Sequence, residues 1–76
     1  MGIAYILVKA HSAEADRMLA DLLAIDGVVS GHIVAGDADV IVKLDVPSST
    51  DVKPIVTESI QSVAGVESTQ TFLAME

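Results

Sequence analysis

A four-residue loop, Gly36-Asp37-Ala38-Asp39, contains the residues whose chemistry best suits ligand binding. It lies between two runs of β-forming residues. A glycine-containing turn can present backbone N–H groups to an anion, and an aspartate can accept a charge-assisted hydrogen bond from a cation. The alternative is that Asp37 and Asp39 only stabilise a hairpin turn through bonds to the backbone. The loop sequence leaves both interpretations open.

Two threonines, Thr69 and Thr71, are the second candidate set. They are two positions apart in a predicted strand, so their side chains are expected on the same face of the sheet. Their hydroxyls would complete the polar set of a ligand site that the loop begins. The alternative is that both are present because threonine favours strands.

Other kinds of site have little support in the sequence. His11 and His32 are 21 residues apart with no cysteine or Glu-x-x-His beside them, so we expect no metal site. The chain has no cysteine, no Gly-x-Ser-x-Gly elbow and no glycine-rich phosphate loop with a lysine. We therefore predict no catalytic residues, no cofactor and no enzyme activity.

The composition is acidic and strongly apolar. Eleven acids against four bases give a net charge of −7, and 51% of the residues are hydrophobic. Because phosphate contacts need concentrated Lys and Arg, this charge argues against direct binding of nucleic acid, and it would also repel an anionic membrane. No apolar run is long enough for a membrane span, and the N-terminus lacks a signal-peptide pattern. The expected location is the cytoplasm.

The hydrophobic pattern predicts four strands and two helices. A continuous apolar run is typical of a strand buried on both faces, and apolar residues at i, i+3, i+4 spacing predict a helix with one buried stripe. Ser12 is the predicted N-cap of the first helix, and a glycine ends each helix. The predicted strands are 3–10, 28–35, 40–46 and 66–75, and the helix stripes are Met18, Leu19, Leu22 and Leu23, then Val52, Val56, Ile60 and Val63.

Two stretches at the predicted helix ends are similar to each other. They read LLAIDGVVS at 22–30 and IQSVAGVES at 60–68, an offset of 38 residues. The alternative to a true repeat is chance similarity of two amphipathic helix ends. The order βαββαβ predicts an α+β, ferredoxin-like fold, in which a four-stranded antiparallel sheet has strands 1 and 3 in its centre and two helices on one face. We expect the whole chain, 1–76, to be a single domain.

The first strand is apolar on both of its faces. Ile3, Tyr5 and Leu7 form one alternating set, and the residues between them form the other. Two helices can cover only one face of a sheet, so the second face must meet a partner. A second copy of the same sheet is the simplest partner. We therefore expect a homodimer with facing sheets, a dimeric α/β barrel.

Three short motifs occur in this frame in a fixed order. The motifs are Gly36-Asp37-Ala38-Asp39 between strands 2 and 3, Gly65-Val66 at the start of strand 4, and Thr69-Gln70-Thr71 within strand 4. Their order and spacing resemble the effector domain of the leucine- and asparagine-responsive regulators, the Lrp/AsnC family. The resemblance covers the whole chain.

The resemblance implies a RAM domain (regulation of amino-acid metabolism), which binds an amino-acid effector and oligomerises. A free amino acid needs donors for its carboxylate and acceptors for its ammonium group, and the loop and strand 4 offer both. The family pattern also implies that dimers assemble into an octamer or decamer, with the effector at the contact between dimers. The ligand-binding residues that it implies are Gly36, Asp37, Ala38, Asp39, Thr69 and Thr71.

The sequence departs from the family pattern in two ways. It starts directly at strand 1, without the usual helix-turn-helix, so we interpret it as a stand-alone form whose partners in transcriptional regulation are full-length Lrp/AsnC regulators. Val40 stands where many relatives have an aromatic residue, which changes the expected shape of any side-chain pocket.

Three other interpretations remain open. An ACT domain has the same element order and ligand class, but it normally has a glycine after strand 1, and this chain has none between residues 10 and 13. A purely structural oligomerisation module is the second. The third is a small dimeric α/β-barrel enzyme of the monooxygenase type, whose interior polar residues would have to be Lys9, His32, Lys43 and Asp45.

Overall fold

The structure is a computed structural model that describes residues 2–11 and 15–75. The elements follow the predicted order. The third strand has the predicted bounds, whereas the second and fourth strands end two residues earlier than predicted. The predicted N-cap Ser12 lies outside the described residues. The elements are β1 (Gly2–Ala10), α1 (Ala15–Leu23), β2 (Val28–Ile33), β3 (Val40–Val46), a second helical segment (49–60) and β4 (Val66–Leu73).

The four strands form one antiparallel sheet in the order β2-β3-β1-β4. The central strand β1 pairs with β3 from Gly2↔Val46 to Val8↔Val40, and with β4 through Tyr5↔Phe72. The prediction that strands 1 and 3 are central is confirmed. The topology is the predicted ferredoxin-like α+β fold.

One face of the sheet and the inner sides of both helical segments form the core. Along β1 and β3 every second residue points into it, as the two-residue period of a strand requires. In α1 the prediction is partly wrong, because Met18 and Leu22 are buried while Leu23 is 44% exposed. Leu23 is one position from Leu22, about 100° around the helix, and so it faces away from the sheet. The buried core residues are Ala4, Ile6, Val8, Met18, Leu22, Val40, Val42, Leu44, Val46, Val52, Val56 and Ile60.

The internal repeat is visible in the backbone. Gly27 and Gly65, which are equivalent in the repeat, both have positive φ, 97° and 94°. The hydrogen bonds around them match as well. The N–H of Ile25 donates to the C=O of Leu22, and 38 residues later the N–H of Val63 donates to the C=O of Ile60, both at 3.1 Å. Glycine suits these positions because other residues rarely adopt positive φ.

The second helical segment is irregular where α1 is regular. It begins with a 3₁₀ turn (Ser49–Asp51), continues through one α-helical turn (Val52–Pro54) and ends as a π-helix (Ile55–Ile60). The hydroxyl of Ser48 caps it by accepting from the N–H of Thr50 at 3.3 Å. The wide turn is seen in the 3.0 Å bond from the N–H of Gln61 to the C=O of Val56. This winding places Val56 and Ile60 on the core.

The second face of the sheet carries no helix in the described part of the chain, and we call it the open face. Strand alternation and register place on it Tyr5, Leu7 and Lys9 of β1 together with their partners on β4. Tyr5 and Phe72, directly opposite each other, are 39% and 48% exposed. None of the helices among the described residues is long and apolar enough to cross a membrane.

Candidate functional site

The loop between β2 and β3 is held by backbone bonds to two different strands. The N–H of Val34, directly after β2, donates to the C=O of Asp39 at 2.9 Å. The N–H of Asp39 in turn donates to the C=O of Val8, in β1, at 2.9 Å. The loop is therefore attached to the central strand as well as to its own hairpin.

The carboxylate of Asp39 adds a second link to β1. Its Oδ2 accepts a hydrogen bond from the N–H of Ala10 at 2.9 Å, and the contact is partly buried. This bond satisfies a backbone donor at the point where β1 ends and its ladder with β4 is irregular between Lys9 and Ala10. Asp39 therefore stabilises the loop through a bond to the backbone, as the alternative to ligand binding predicts. Its carboxylate bonds to the distant strand β1, however, and not to its own turn.

Gly36 and Asp37 form the exposed tip of the loop. Gly36 has a φ of 136°, a conformation that L side chains rarely adopt, and a Cβ placed there would have no atom within 4 Å. The need for glycine is thus conformational and not steric. Asp37 follows with an exposed side chain, and no hydrogen bond or ion pair links it to the other described residues.

A cavity of about 680 Å³ lies beside this loop, at the end of the open face. Its size is in the usual range for small-molecule sites. Asp37 and Ala38 of the loop border it, while Leu7 and Ile41 give it an apolar floor and Lys9 supplies a positive charge. The remaining lining residues are Val34, Ala35, Ser68, Thr69 and Gln70.

The two threonines lie on the opposite side of the sheet from this floor. Thr69 and Thr71 pair with Val8 and Ile6, which face the core, so the prediction that they share a face is confirmed and that face is the helix side. The hydroxyl of Thr69 accepts from Nε2 of Gln61 at 3.1 Å. Thr69 borders the loop cavity, but Thr71 does not.

Thr71 lines a second, smaller groove of about 310 Å³ between β4 and the second helical segment. Its other walls include Val52, Val56 and Leu73, so the groove is mostly apolar. The structure therefore brings Asp37, Ala38 and Thr69 to one cavity, which Gly36 and Asp39 do not line. Thr71 lines only the second groove, which Thr69 also borders.

Most of the lining residues were not among the predicted site residues, and Lys9 is the one charged side chain among them. The available signal was the interruption of the apolar first strand by a single lysine, which does not by itself indicate a cavity. Among residues 2–11 and 15–75 no three His, Asp or Glu side chains come together in a way that could hold a metal ion. Nδ1 of His11 lies 3.6 Å from Oε1 of Glu67, and both side chains are exposed.

Comparison with known proteins identifies the family of the chain. The model of the Lrp/AsnC ligand-binding domain matches residues 3–76. No curated protein matches the chain.

Three solved structures share the fold over the entire chain. Protein PHS023 from Pyrococcus horikoshii is 28% identical, with a TM-score of 0.90 and coverage of 100% of this chain and 92% of its own. TTHA0845 from Thermus thermophilus is 24% identical, with a TM-score of 0.92 and coverage of 100% and 95%. The feast or famine regulatory protein Rv3291c from M. tuberculosis, solved with L-methionine, is 21% identical, with a TM-score of 0.83 and coverage of 100% and 51%. By its family match along almost its whole length, the chain belongs to the Lrp/AsnC ligand-binding domain family.

Proposed function

We propose that the chain binds a free amino acid as an effector, assembles into oligomers through its open face and acts in transcriptional regulation without catalysing a reaction. The observation that carries the proposal is the cavity beside the Gly36 loop, in a domain whose family is defined by ligand binding. The structure of Rv3291c with L-methionine supports an amino acid as the ligand class. The apolar floor of Leu7 and Ile41 suits an uncharged side chain.

Within the loop we assign different roles to the two aspartates. Asp37 borders the cavity with an exposed carboxylate, and it is the better acceptor for an ammonium group. Asp39 already accepts from the N–H of Ala10, so its role is to hold the loop in place. Gly36 makes the turn, Ala38 lines the cavity, and Thr69 is the closer of the two threonines to the ligand.

The open face supports the assembly part of the proposal. Its exposed aromatic pair, Tyr5 and Phe72, and the half-buried Leu7 leave apolar surface that a second sheet would cover. We propose a homodimer with facing sheets that assembles further into an octamer or decamer. An effector that binds one oligomeric state more tightly shifts the assembly equilibrium toward it. Full-length Lrp/AsnC regulators are the proposed protein partners.

Isothermal titration calorimetry against the twenty amino acids, beginning with L-methionine, tests the ligand. We expect at least one uncharged amino acid to bind with a Kd below the millimolar range. Asp37→Asn should weaken that binding, whereas Asp51→Asn, which removes an exposed carboxylate far from the cavity, should not. Failure of the wild type to bind any amino acid at millimolar concentration would contradict the effector role.

A further inference from the structure

We infer that Lys9 binds the carboxylate of the ligand and, together with Asp37, makes the cavity selective for a zwitterion with an apolar side chain. This inference rests on the proposed function and deepens it. It concerns a residue on the central strand, outside the loop that the sequence motifs single out.

The position of Lys9 is unusual for a central strand. It follows a run of apolar residues, on the face of β1 that points away from the helices, and it pairs with Ser68 of β4. Only Lys9 and Lys43 of the four basic residues lie on the open face, because Arg17 is in α1 and Lys53 is in the second helical segment. In a chain of net charge −7, such a lysine is a local site of attraction for an anion.

Lys9 is also available for a ligand. Its side chain is exposed, and within the described part of the chain no carboxylate lies within ion-pair distance of it. Asp37 borders the same cavity and likewise has no ion-pair partner there. The cavity thus presents one positive and one negative side chain that do not neutralise each other.

The bond from Asp39 to Ala10 links the two charges. Ala10 follows Lys9 directly in the chain, and Asp39 is two residues after Asp37. The bond therefore ties the loop that carries the negative charge to the strand end that carries the positive charge. Two charges that border one cavity, on segments joined by this bond, can meet the two charges of a single small ligand, as in an α-amino acid.

The apolar floor of the cavity determines the rest of the specificity. Leu7 and Ile41 offer no hydrogen bonds, so a charged ligand side chain would lose its hydration there without compensation. The lysine also acts against wrong ligands, because an amine without a carboxylate would bring a second positive charge next to it. The expected ligand class is therefore an uncharged, apolar α-amino acid.

The test compares Lys9→Gln with Lys43→Gln, a lysine on the same face that does not border the cavity. The probes are L-methionine, L-methionine amide, which lacks the carboxylate, and the corresponding acid without the amino group. Calorimetry should show that Lys9→Gln binds L-methionine about 10- to 150-fold more weakly than wild type, the usual value of a charged hydrogen bond. Its affinity for the amide should not fall, because the amide has no carboxylate to lose. Lys43→Gln should bind all three probes as wild type does.

Asp37→Asn provides the reciprocal result. This variant should bind L-methionine more weakly than wild type does, while its affinity for the acid without the amino group should not fall. Thermal unfolding and light scattering on each variant check that fold and assembly are unchanged. No change is expected for the exposed side chains of Lys9 and Asp37, and the half-buried Lys43 is checked in the same way.

Two outcomes would overturn the inference in different ways. If Lys9→Gln binds L-methionine as tightly as wild type does, Lys9 is not the carboxylate-binding residue, and the proposed function stands. If wild type binds no apolar amino acid but binds a charged one, the specificity inferred from the floor is wrong. Only a failure with all twenty amino acids removes the proposed function itself.

Discussion

Both faces of the central strand β1 are largely apolar, but they differ in burial. On the helix side Ala4, Ile6 and Val8 of β1 have no exposed surface, while on the open face Tyr5 is 39% exposed and its neighbour Phe72 is 48% exposed. Alternate residues of β1 form two apolar sets, and the helices cover only one of them. The described part of the chain therefore covers one face of the sheet only, and we propose that a second copy covers the other.

The candidate site lies at the end of the incomplete face. Its cavity is formed where the β2–β3 loop extends over the end of β1, next to Leu7 and Ile41. In the proposed function, stability and function are therefore separated by the sheet, with the core on one side and the proposed ligand and assembly surfaces on the other. Substitutions on the two sides should have different effects.

The largest effect is expected in the core. Ile6→Ala removes a fully buried side chain from the centre of the sheet and should lower the free energy of unfolding by about 2–5 kcal/mol. Urea denaturation monitored by circular dichroism measures it. A loss below about 1 kcal/mol would show that the helix side is not the tightly packed one.

A charge on the open face should affect assembly more than folding. Leu7→Asp places a carboxylate in the surface that the second copy would cover, and burial of an unpaired charge is strongly unfavourable. We expect the oligomer to dissociate while the circular dichroism spectrum keeps its α+β shape. The control is Leu23→Asp, because Leu23 is an exposed leucine on α1, away from the sheet. Dissociation by the control and not by Leu7→Asp would place the interface on the helices.

The hydrogen bond from the N–H of Ala10 to the carboxylate of Asp39 offers a test with a smaller and more specific effect. Asp39→Ala leaves the N–H of Ala10 without its acceptor and should lower the free energy of unfolding by about 1–3 kcal/mol. Asp39→Asn keeps an acceptor oxygen and should lower it by less. Hydrogen exchange at the Ala10 amide should accelerate in the alanine variant alone. Asp37→Ala should change stability by no more than about 0.5 kcal/mol. Equal losses for both aspartates would contradict their different roles.

The smallest effect is expected at Thr71. Its side chain lines the groove on the helix side, so Thr71→Val should change amino-acid affinity much less than Asp37→Asn does. The same substitution at Thr69, which borders both spaces, should have an intermediate effect. Loss of binding in Thr71→Val would move the ligand to the groove beside the second helical segment.

Much of the fold could be predicted because it depends on local periodicity. The two-residue alternation of β1 and β3 predicts the central strands, and Gly27 and Gly65, which follow the two helical segments, have the positive φ expected where a helix leads into a strand. The π-helix at 55–60 was not predictable, because the spacing of Val56 and Ile60 is also that of an ordinary helix. Whether residues 55–60 form an α-helix or a π-helix depends on how the segment packs in the fold.

The site was harder to predict because it depends on register between distant strands. The loop and the shared face of the threonines follow from local sequence. That Thr69 and Thr71 face the helices depends on their pairing with Val8 and Ile6. The bond from Asp39 to Ala10 spans 29 residues and leaves no sequence pattern, and the same is true of Lys9 in the cavity.

The central claim, that the open face is completed by a second copy, is tested most directly by the mass of the protein in solution. Sedimentation equilibrium across a wide micromolar concentration range measures it without labels. We expect a mass of at least twice the 7.9 kDa of the chain, which falls toward the monomer value in Leu7→Asp. A wild-type protein that sediments as a 7.9 kDa monomer at every concentration would contradict the account.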